Sequence, residues 1–348
     1  MPNVTMKDIA KEAGVTRSLV SYILNDNRQM KINKDTRARV LQIARDLDYT
    51  PNYLATSLKT QKTNCIGLLT SLISNVNVND YTLQMGQITS GIEDSIIKNS
   101  SRYSLITYGT NFYTTYDKSL DLIRRRNVDG LIIHLFSFEL ERFKKVQLPV
   151  LQSMDIPFVV IHSASQDLPF NNVGINNQQA GYLAAEHLLK LGYSDIAFYH
   201  LNPQSIRLDE TLTGFKRAFK ENSRPWQDDL VIRRDRKKDN PIDYFCALPK
   251  FPRAVFVPND SRARDIYRAL RKRNVKVPED MALIGFDDIE NEACNEYGLT
   301  TIHHPFADKG REACRILTGL LDGKLDRKKV HSKILDTELV VRTSCGSK

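Results

Sequence analysis

The chain has 348 residues, 41% hydrophobic and 26% charged, and a net charge of +9. That length calls for two or three domains, and the composition excludes a disordered chain, a collagen and a disulfide-stapled miniprotein. The charge is uneven: residues 1–64 hold 11 Lys or Arg against 6 Asp or Glu, a net of +5, and the other 284 residues carry +4. A basic arm that binds nucleic acid gives this asymmetry, and so does a solvated basic surface; charge alone does not choose.

The first 50 residues read as three short helices. Thr5 followed by Asp8 is a capping signal, and Ile9, Ala10 and Ala13 form one apolar face. Gly14 is placed to end that helix through a positive φ. Thr16 can cap a second helix to about Leu24, with Leu19, Val20 and Ile23 inward. Asn33 can cap a third, with Val40, Ile43, Ala44 and Leu47 at helical spacing. Pro51 interrupts, and 52–60 is a short polar segment able to form a helix.

From Cys65 the texture changes. Apolar, β-branched runs at Cys65–Leu69, Tyr103–Tyr108, Gly130–His134, Phe158–His162, Ile196–Tyr199, Ala254–Val257 and Ala282–Ile284 read as strands. Amphipathic stretches at Met85–Lys98, Gln178–Leu191, Leu212–Glu221, Asp260–Arg273 and Asp308–Leu321 read as helices. The alternation predicts α/β architecture with parallel sheets, and its length suits two lobes. No internal sequence repeat is evident. Arg233–Asp239 is a charge run expected in a loop.

Five cysteines, Cys65, Cys246, Cys294, Cys314 and Cys345, include no C-x-x-C pair, which leaves zinc and redox motifs unsupported and suits a reducing cytoplasm. The polar N-terminus lacks a signal-peptide core, and no apolar stretch approaches a membrane span. A cytoplasmic protein with no membrane partner is expected. Signatures for an enzyme are missing too: no G-x-S-x-G, GxxxxGK[ST], HExxH or GxGxxG occurs. No catalytic residue, metal ligand or cofactor is assigned.

The strongest local signal is the spacing Ala10, Gly14, Val20. A small residue lets two helices cross closely, the glycine makes the turn, and the valine locks the second helix into a shared core. That is helix-turn-helix logic, with the second helix entering the major groove. Arg17, Ser18, Ser21 and Tyr22 would face outward, Arg17 suited to a guanine edge. Thr5, Thr16, Ser21 and Asn25 suit phosphate contacts. An ordinary helical hairpin remains the alternative on these residues alone.

VTMKDIAKEAGVTRSLVSYILN followed by DYTPNYLATSL resembles the start of the bacterial lactose/galactose repressor family. HLLKLGYSDIAF, VFVPND, LIGFDDIE, LTTIHHPF and TELVVRTS continue the resemblance over nearly the whole chain. It implies a helix-turn-helix headpiece (1–50), a hinge helix (51–63), and a two-lobed core like a periplasmic sugar-binding protein. The core lobes are expected at 64–164 plus 295–326 and at 165–294 plus 327–348. The implied function is an operator-binding homodimeric repressor. By position, Arg17, Ser18 and Tyr22 match base-reading residues, and Thr5, Thr16, Ser21 and Asn25 match phosphate contacts. Asn52 belongs to the hinge; Leu58 matches a minor-groove wedge, with Ala55 beside it. Two hinges in one groove imply a dimer on a pseudo-palindromic DNA site. No leucine heptads follow ELVVRTS, so no tetramerising extension is expected.

The resemblance also implies a small effector, often a sugar, between the lobes. Asn259, Asp287, Phe306 and Ser71 match effector contacts. Two positions depart: His162 stands where the family usually has Asp or Asn, and Thr211 stands where it usually has Arg, three residues before Gly214–Phe215. Three readings stay open. The effector is a sugar or derivative held by a rearranged set; or an anion held by His162 and the nearby basic run; or the core has lost small-molecule sensing and answers to a protein co-regulator. A small-molecule-binding protein without DNA function is the remote alternative.

Overall fold

The computed structural model describes residues 4–24, 32–49, 62–71, 78–99, 102–110, 127–136, 139–162, 168–200, 205–233, 241–246, 248, 250–289 and 297–347. The chain divides into two compact units, Met1–Thr63 and Asn64–Lys348.

The first unit holds α1 (Met6–Ala13), α2 (Arg17–Leu24) and α3 (Lys34–Asp46). Asp8 Oδ2 accepts from both the Thr5 amide at 2.8 Å and the Thr5 hydroxyl at 2.7 Å, which closes the start of α1. Gly14 takes φ 61°, and the Val15 amide then bonds back to the Ala10 carbonyl at 3.0 Å. A side chain at Gly14 would be strained in that left-handed turn. Thr16 Oγ1 accepts from the Leu19 amide at 3.2 Å, and Asn33 Oδ1 from the Asp35 amide at 2.9 Å. Ile9, Ala10, Ala13, Val20, Ile23, Val40 and Ala44 form the buried core of this unit.

The second unit contains two six-stranded sheets among the described residues. The strands are β1 (Cys65–Ser71), β2 (Ser104–Thr110), β3 (Gly130–His134), β4 (Phe158–Ile161), β5 (Asn172–Ile175), β6 (Ile196–His200), β7 (Val231–Arg233), β8 (Ala254–Phe256), β9 (Ala282–Asp287), β10 (Thr300–His303), β11 (Ser332–Leu335) and β12 (Glu338–Val340). The first sheet runs β2-β1-β3-β4-β5-β11 and the second β7-β6-β8-β9-β10-β12. All pairings are parallel except β10 with β12. The two orders are the same, so the fold carries a repeat that the sequence does not display.

The helices used below are α4 (Val78–Asn99), α5 (Leu148–Ser153), α6 (Asn177–Lys190), α7 (Ile206–Glu221), α8 (Pro241–Cys246), α9 (Asp260–Lys272) and α10 (Phe306–Leu321). Both faces of each sheet are covered by apolar side chains from these helices, as parallel sheets require. The repeat extends to the helix crossings. A Cβ at Gly91 on α4 would collide with the Ala307 carbonyl of α10, and one at Gly310 with the Ile88 carbonyl of α4. In the other lobe a Cβ at Gly181 on α6 would meet the Thr211 carbonyl, and one at Gly214 on α7 the Gln178 carbonyl. Each crossing brings backbone against backbone through a reciprocal glycine pair.

Sheet membership moves the expected lobe boundaries. β5 lies in the first sheet, although 165–294 was assigned to the second lobe; β10 lies in the second, although 295–326 was assigned to the first; β11 lies in the first, although 327–348 was assigned to the second. The chain changes sheets after β5, after β10, and across Asp336 and Thr337 between β11 and β12. Patterning locates a strand, but only pairing decides which open edge it joins. The first and third changes are tied together: the Asn176 amide donates to the Leu335 carbonyl at 2.8 Å, and the Thr337 amide to Gln179 Oε1 at 2.8 Å.

Candidate nucleic-acid interface and ligand cleft

The face of α2 opposite the small core carries polar side chains. Thr16, Arg17 and Ser18 are exposed, Ser21 is partly exposed, and Tyr22 is 39% exposed despite its ring. Thr5, at the start of α1, is exposed as well. Val20 and Ile23 hold the inner face at 0% and 2% exposure, so the outer residues are presented by a fixed scaffold. Asn25, Asn52, Ala55 and Leu58, with nearly all of the 51–63 hinge, lie outside the described residues.

In the second unit, polar residues converge where strands end. His134 ends β3, His162 follows β4, His200 ends β6, Asn259 follows β8, Asp287 ends β9, and His304 follows β10. These are the carboxyl ends of parallel strands, where open α/β sheets bind ligands beside the reversal of strand order. In each sheet that reversal lies between the first and third strands: β1 and β3, β6 and β8.

Asn259 caps α9 by accepting from the Arg262 amide at 3.1 Å, and its Nδ2 donates to Asp287 Oδ2 at 2.8 Å. Asp287 is 4% exposed and has φ 127°. Asp288 turns away to His303 at 3.0 Å and Arg342 at 2.8 Å, so adjacent carboxylates serve different partners. Asp260 is fully buried; its Oδ1 bonds to the Thr301 hydroxyl at 2.7 Å and its Oδ2 has no partner. Burial first, then the Asp287 charge, pushes the Asp260 carboxyl up to about 8.

Phe306 is buried and stacks on His304 with centroids 3.8 Å apart. Lys309, one turn along α10, is fully buried, and its Nζ lies 3.3 Å from His304 Nε2. Burial first, then repulsion from Arg207, pushes this ammonium down to about 7. His134 and His162 are buried and held down to about 3 and about 4, by burial first and then by the Lys309 charge. His162 Nε2 sits 3.3 Å from Asn172 Oδ1, within its own sheet.

Thr211 stands where an arginine is expected, and an arginine, Arg207, lies one helical turn earlier. Arg207 is partly buried near the start of α7, with its guanidinium 5.0 Å from the centre of the Phe286 ring. One of its terminal nitrogens donates to the Pro258 carbonyl at 2.8 Å, and Asp287 acts on its charge. Thr211 is fully buried, and its hydroxyl donates to the Arg207 carbonyl at 2.7 Å. The i,i+4 spacing on a helix was the available signal. Arg207 and Lys309 are the two cations that position matching passed over. Of the expected effector residues, Asn259, Asp287 and Phe306 join the cluster; Thr211 is spent within α7, His162 stands at the end of the interior strand β4, within the field of Lys309 and bonded to Asn172, and Ser71 ends β1 with its side chain outside the described set. Of the Arg233–Asp239 run, only Arg233 is described; it ends β7 and is exposed.

Among the described residues no helix is long and apolar enough to cross a membrane, and no group of three His, Cys, Asp or Glu side chains is placed to hold a metal ion.

The model of the lacI family of bacterial regulatory proteins matches residues 5–52, and a periplasmic binding protein-like domain matches residues 185–345. The chain is 30% identical to the HTH-type transcriptional repressor PurR of Vibrio parahaemolyticus over 346 residues, 98% of each chain. It is 30% identical to catabolite control protein A of Priestia megaterium over 326 residues, 91% of this chain and 92% of that one. Among solved structures, the lac repressor dimer bound to operator and the anti-inducer ONPF aligns with a TM-score of 0.71 at 22% identity, covering 99% of this chain and 100% of that one. The transcriptional regulator CelR in complex with cellobiose aligns with a TM-score of 0.66 at 22% identity, covering 98% and 100%.

Proposed function

Because the chain belongs to the lacI family of bacterial regulatory proteins, we propose that it is a homodimeric repressor that binds a pseudo-palindromic DNA operator and whose affinity for that operator is set by a small effector held between the core lobes. At the family level it is a DNA-binding transcriptional regulator with a ligand-binding core, and not an enzyme. The observation that carries the finer reading is the pairing of an exposed polar helix face, Arg17 to Tyr22, with a buried polar cluster at the strand ends of two lobes.

Arg17, Ser18 and Tyr22 read bases; Thr5, Thr16, Ser21 and Asn25 fix the register on phosphates. Asn52 and Ala55 accompany Leu58, which wedges into the minor groove from the hinge. In the cleft, Asn259 and Asp287 orient the effector and Phe306 with His304 offers it an apolar face. The effector acts by binding one lobe arrangement better than the other.

Selection of binding sites from random duplexes tests the DNA half. Wild-type protein should return an inverted repeat, and Arg17→Ala should lose preference at one base pair per half-site, about 1–3 kcal/mol on the selected operator. Unselective enrichment, or an unchanged preference in Arg17→Ala, overturns it.

A further inference from the structure

Both lobes send a cation into the cleft, and the cleft does not match them with anions. Arg207 comes from α7 of the second lobe; Lys309 comes from α10, which packs against α4 and the first sheet. Among the described residues neither forms an ion pair: Arg207 has the Pro258 carbonyl and the Phe286 ring, and Lys309 has His304. Asp287 is the anion whose field reaches both, and it accepts from Asn259. With Lys309 protonated, two cations share one carboxylate, because the Asp260 Oδ1 is taken by the Thr301 hydroxyl, and the cluster then carries a surplus of positive charge. A buried ammonium without a counter-charge is costly.

Unsatisfied polar atoms gather at the same place. His134 Nδ1 is buried without a hydrogen-bond partner, and His304 Nδ1, 3.5 Å from Asp287 Oδ1, meets that carboxylate only at long range; both rings feel the Lys309 charge. Buried polar atoms in native proteins nearly always have partners, so the orphaned His134 nitrogen beside two cations without ion pairs marks a place where something binds. The two strongest hydrogen-bonding groups there are donors, the Arg207 guanidinium fork and the Lys309 ammonium. A neutral polyol needs acceptors for its own hydroxyl protons, whereas a carboxylate or phosphate offers only acceptors.

We propose that the effector carries a carboxylate or phosphate group that bridges Arg207 of one lobe and Lys309 of the other. The inference rests on the reading that the cleft holds the effector. Like charges on opposite lobes resist approach, and an anion between them reverses the sign of that interaction. Anion binding therefore draws the lobes together.

Thermal unfolding of the full chain tests this at matched ionic strength in sodium chloride, sodium phosphate or sodium citrate, with glucose, ribose and adenosine as neutral probes. Phosphate or citrate should raise Tm above chloride by linkage. Apparent affinity should fall about tenfold or more in Arg207→Gln and Lys309→Met and be largely kept in Arg207→Lys, which retains the charge. If Lys309→Met does not fold, the two Arg207 variants decide. An anion shift that survives Arg207→Gln is general salting of the surface and overturns the proposal. A shift from a neutral probe alone, abolished by Asp287→Asn, overturns the anion while the cleft reading stands. No shift from any probe overturns both.

Discussion

The headpiece and the core handle charge in opposite ways. Among the described residues of Met1–Thr63 the polar side chains lie outside a small apolar core, with Arg17 and Ser18 exposed. In Asn64–Lys348 the informative charges are inside: Asp260 and Lys309 are fully buried, and Asp287 is nearly so. Exposed charge costs little to maintain and acts on a large polyanion through salt-sensitive contacts. Buried charge is expensive, shifts its own protonation, and discriminates among small ligands. One chain thus holds a reader tuned by solvent and a sensor tuned by exclusion of solvent.

The largest effect should come from Gly214→Val. Its side chain would displace the Gln178 backbone of α6, so the α6–α7 crossing must open, at a cost of about 3 kcal/mol or more. The core transition in urea should shift or vanish while the three-helix signals of the headpiece persist. Joint loss of both would mean that the units do not fold independently.

Asp260→Asn sharpens the buried half of the contrast. The folded-state carboxyl is raised from 3.8 to about 8, so its stabilising protonated form is complete below about pH 4 and is lost as pH rises through about 8. One such group contributes at most about 1.4 kcal/mol per pH unit within that window. Denaturation of wild type and variant between pH 4 and 8 should show the falling slope in wild type and a flatter line in Asp260→Asn. Parallel slopes would remove the claim. The smallest effect belongs to the headpiece: Gly14→Ala places a side chain at φ 61° with nothing to collide with, and should cost about 1 kcal/mol. A headpiece melting profile that leaves the core unchanged is the expected reading.

This division of labour explains what could be read from the residues. Thr5, Gly14, Thr16 and Asn33 act on neighbours within a few positions, and all four cap or turn the chain as their spacing predicts. The runs with β-branched cores are strands, whereas β5, β7, β10, β11 and β12 do not stand out in the pattern. They are short, and β10 is half threonine: Thr300 and Thr301 are buried because Asp260, Cys345 and Ser344 satisfy them from distant segments. The cleft was the least legible part. Position matching recorded an absent arginine at Thr211, but a helix offers the same face again four residues away. Lys309 falls within the amphipathic stretch Asp308–Leu321, where nothing in the pattern sets it apart, and only the fold shows that its side chain is enclosed.

The strand order has a further consequence for the newborn chain. β11 completes the edge of the first sheet and β12 that of the second, and both come from residues 332–340. A polypeptide halted on the ribosome before Ser332 therefore holds β5 and β10 as unpaired edges in both sheets at once. Such edges pair with neighbouring chains. Neither half can be finished before residues 332–340 are made, so the two lobes mature together.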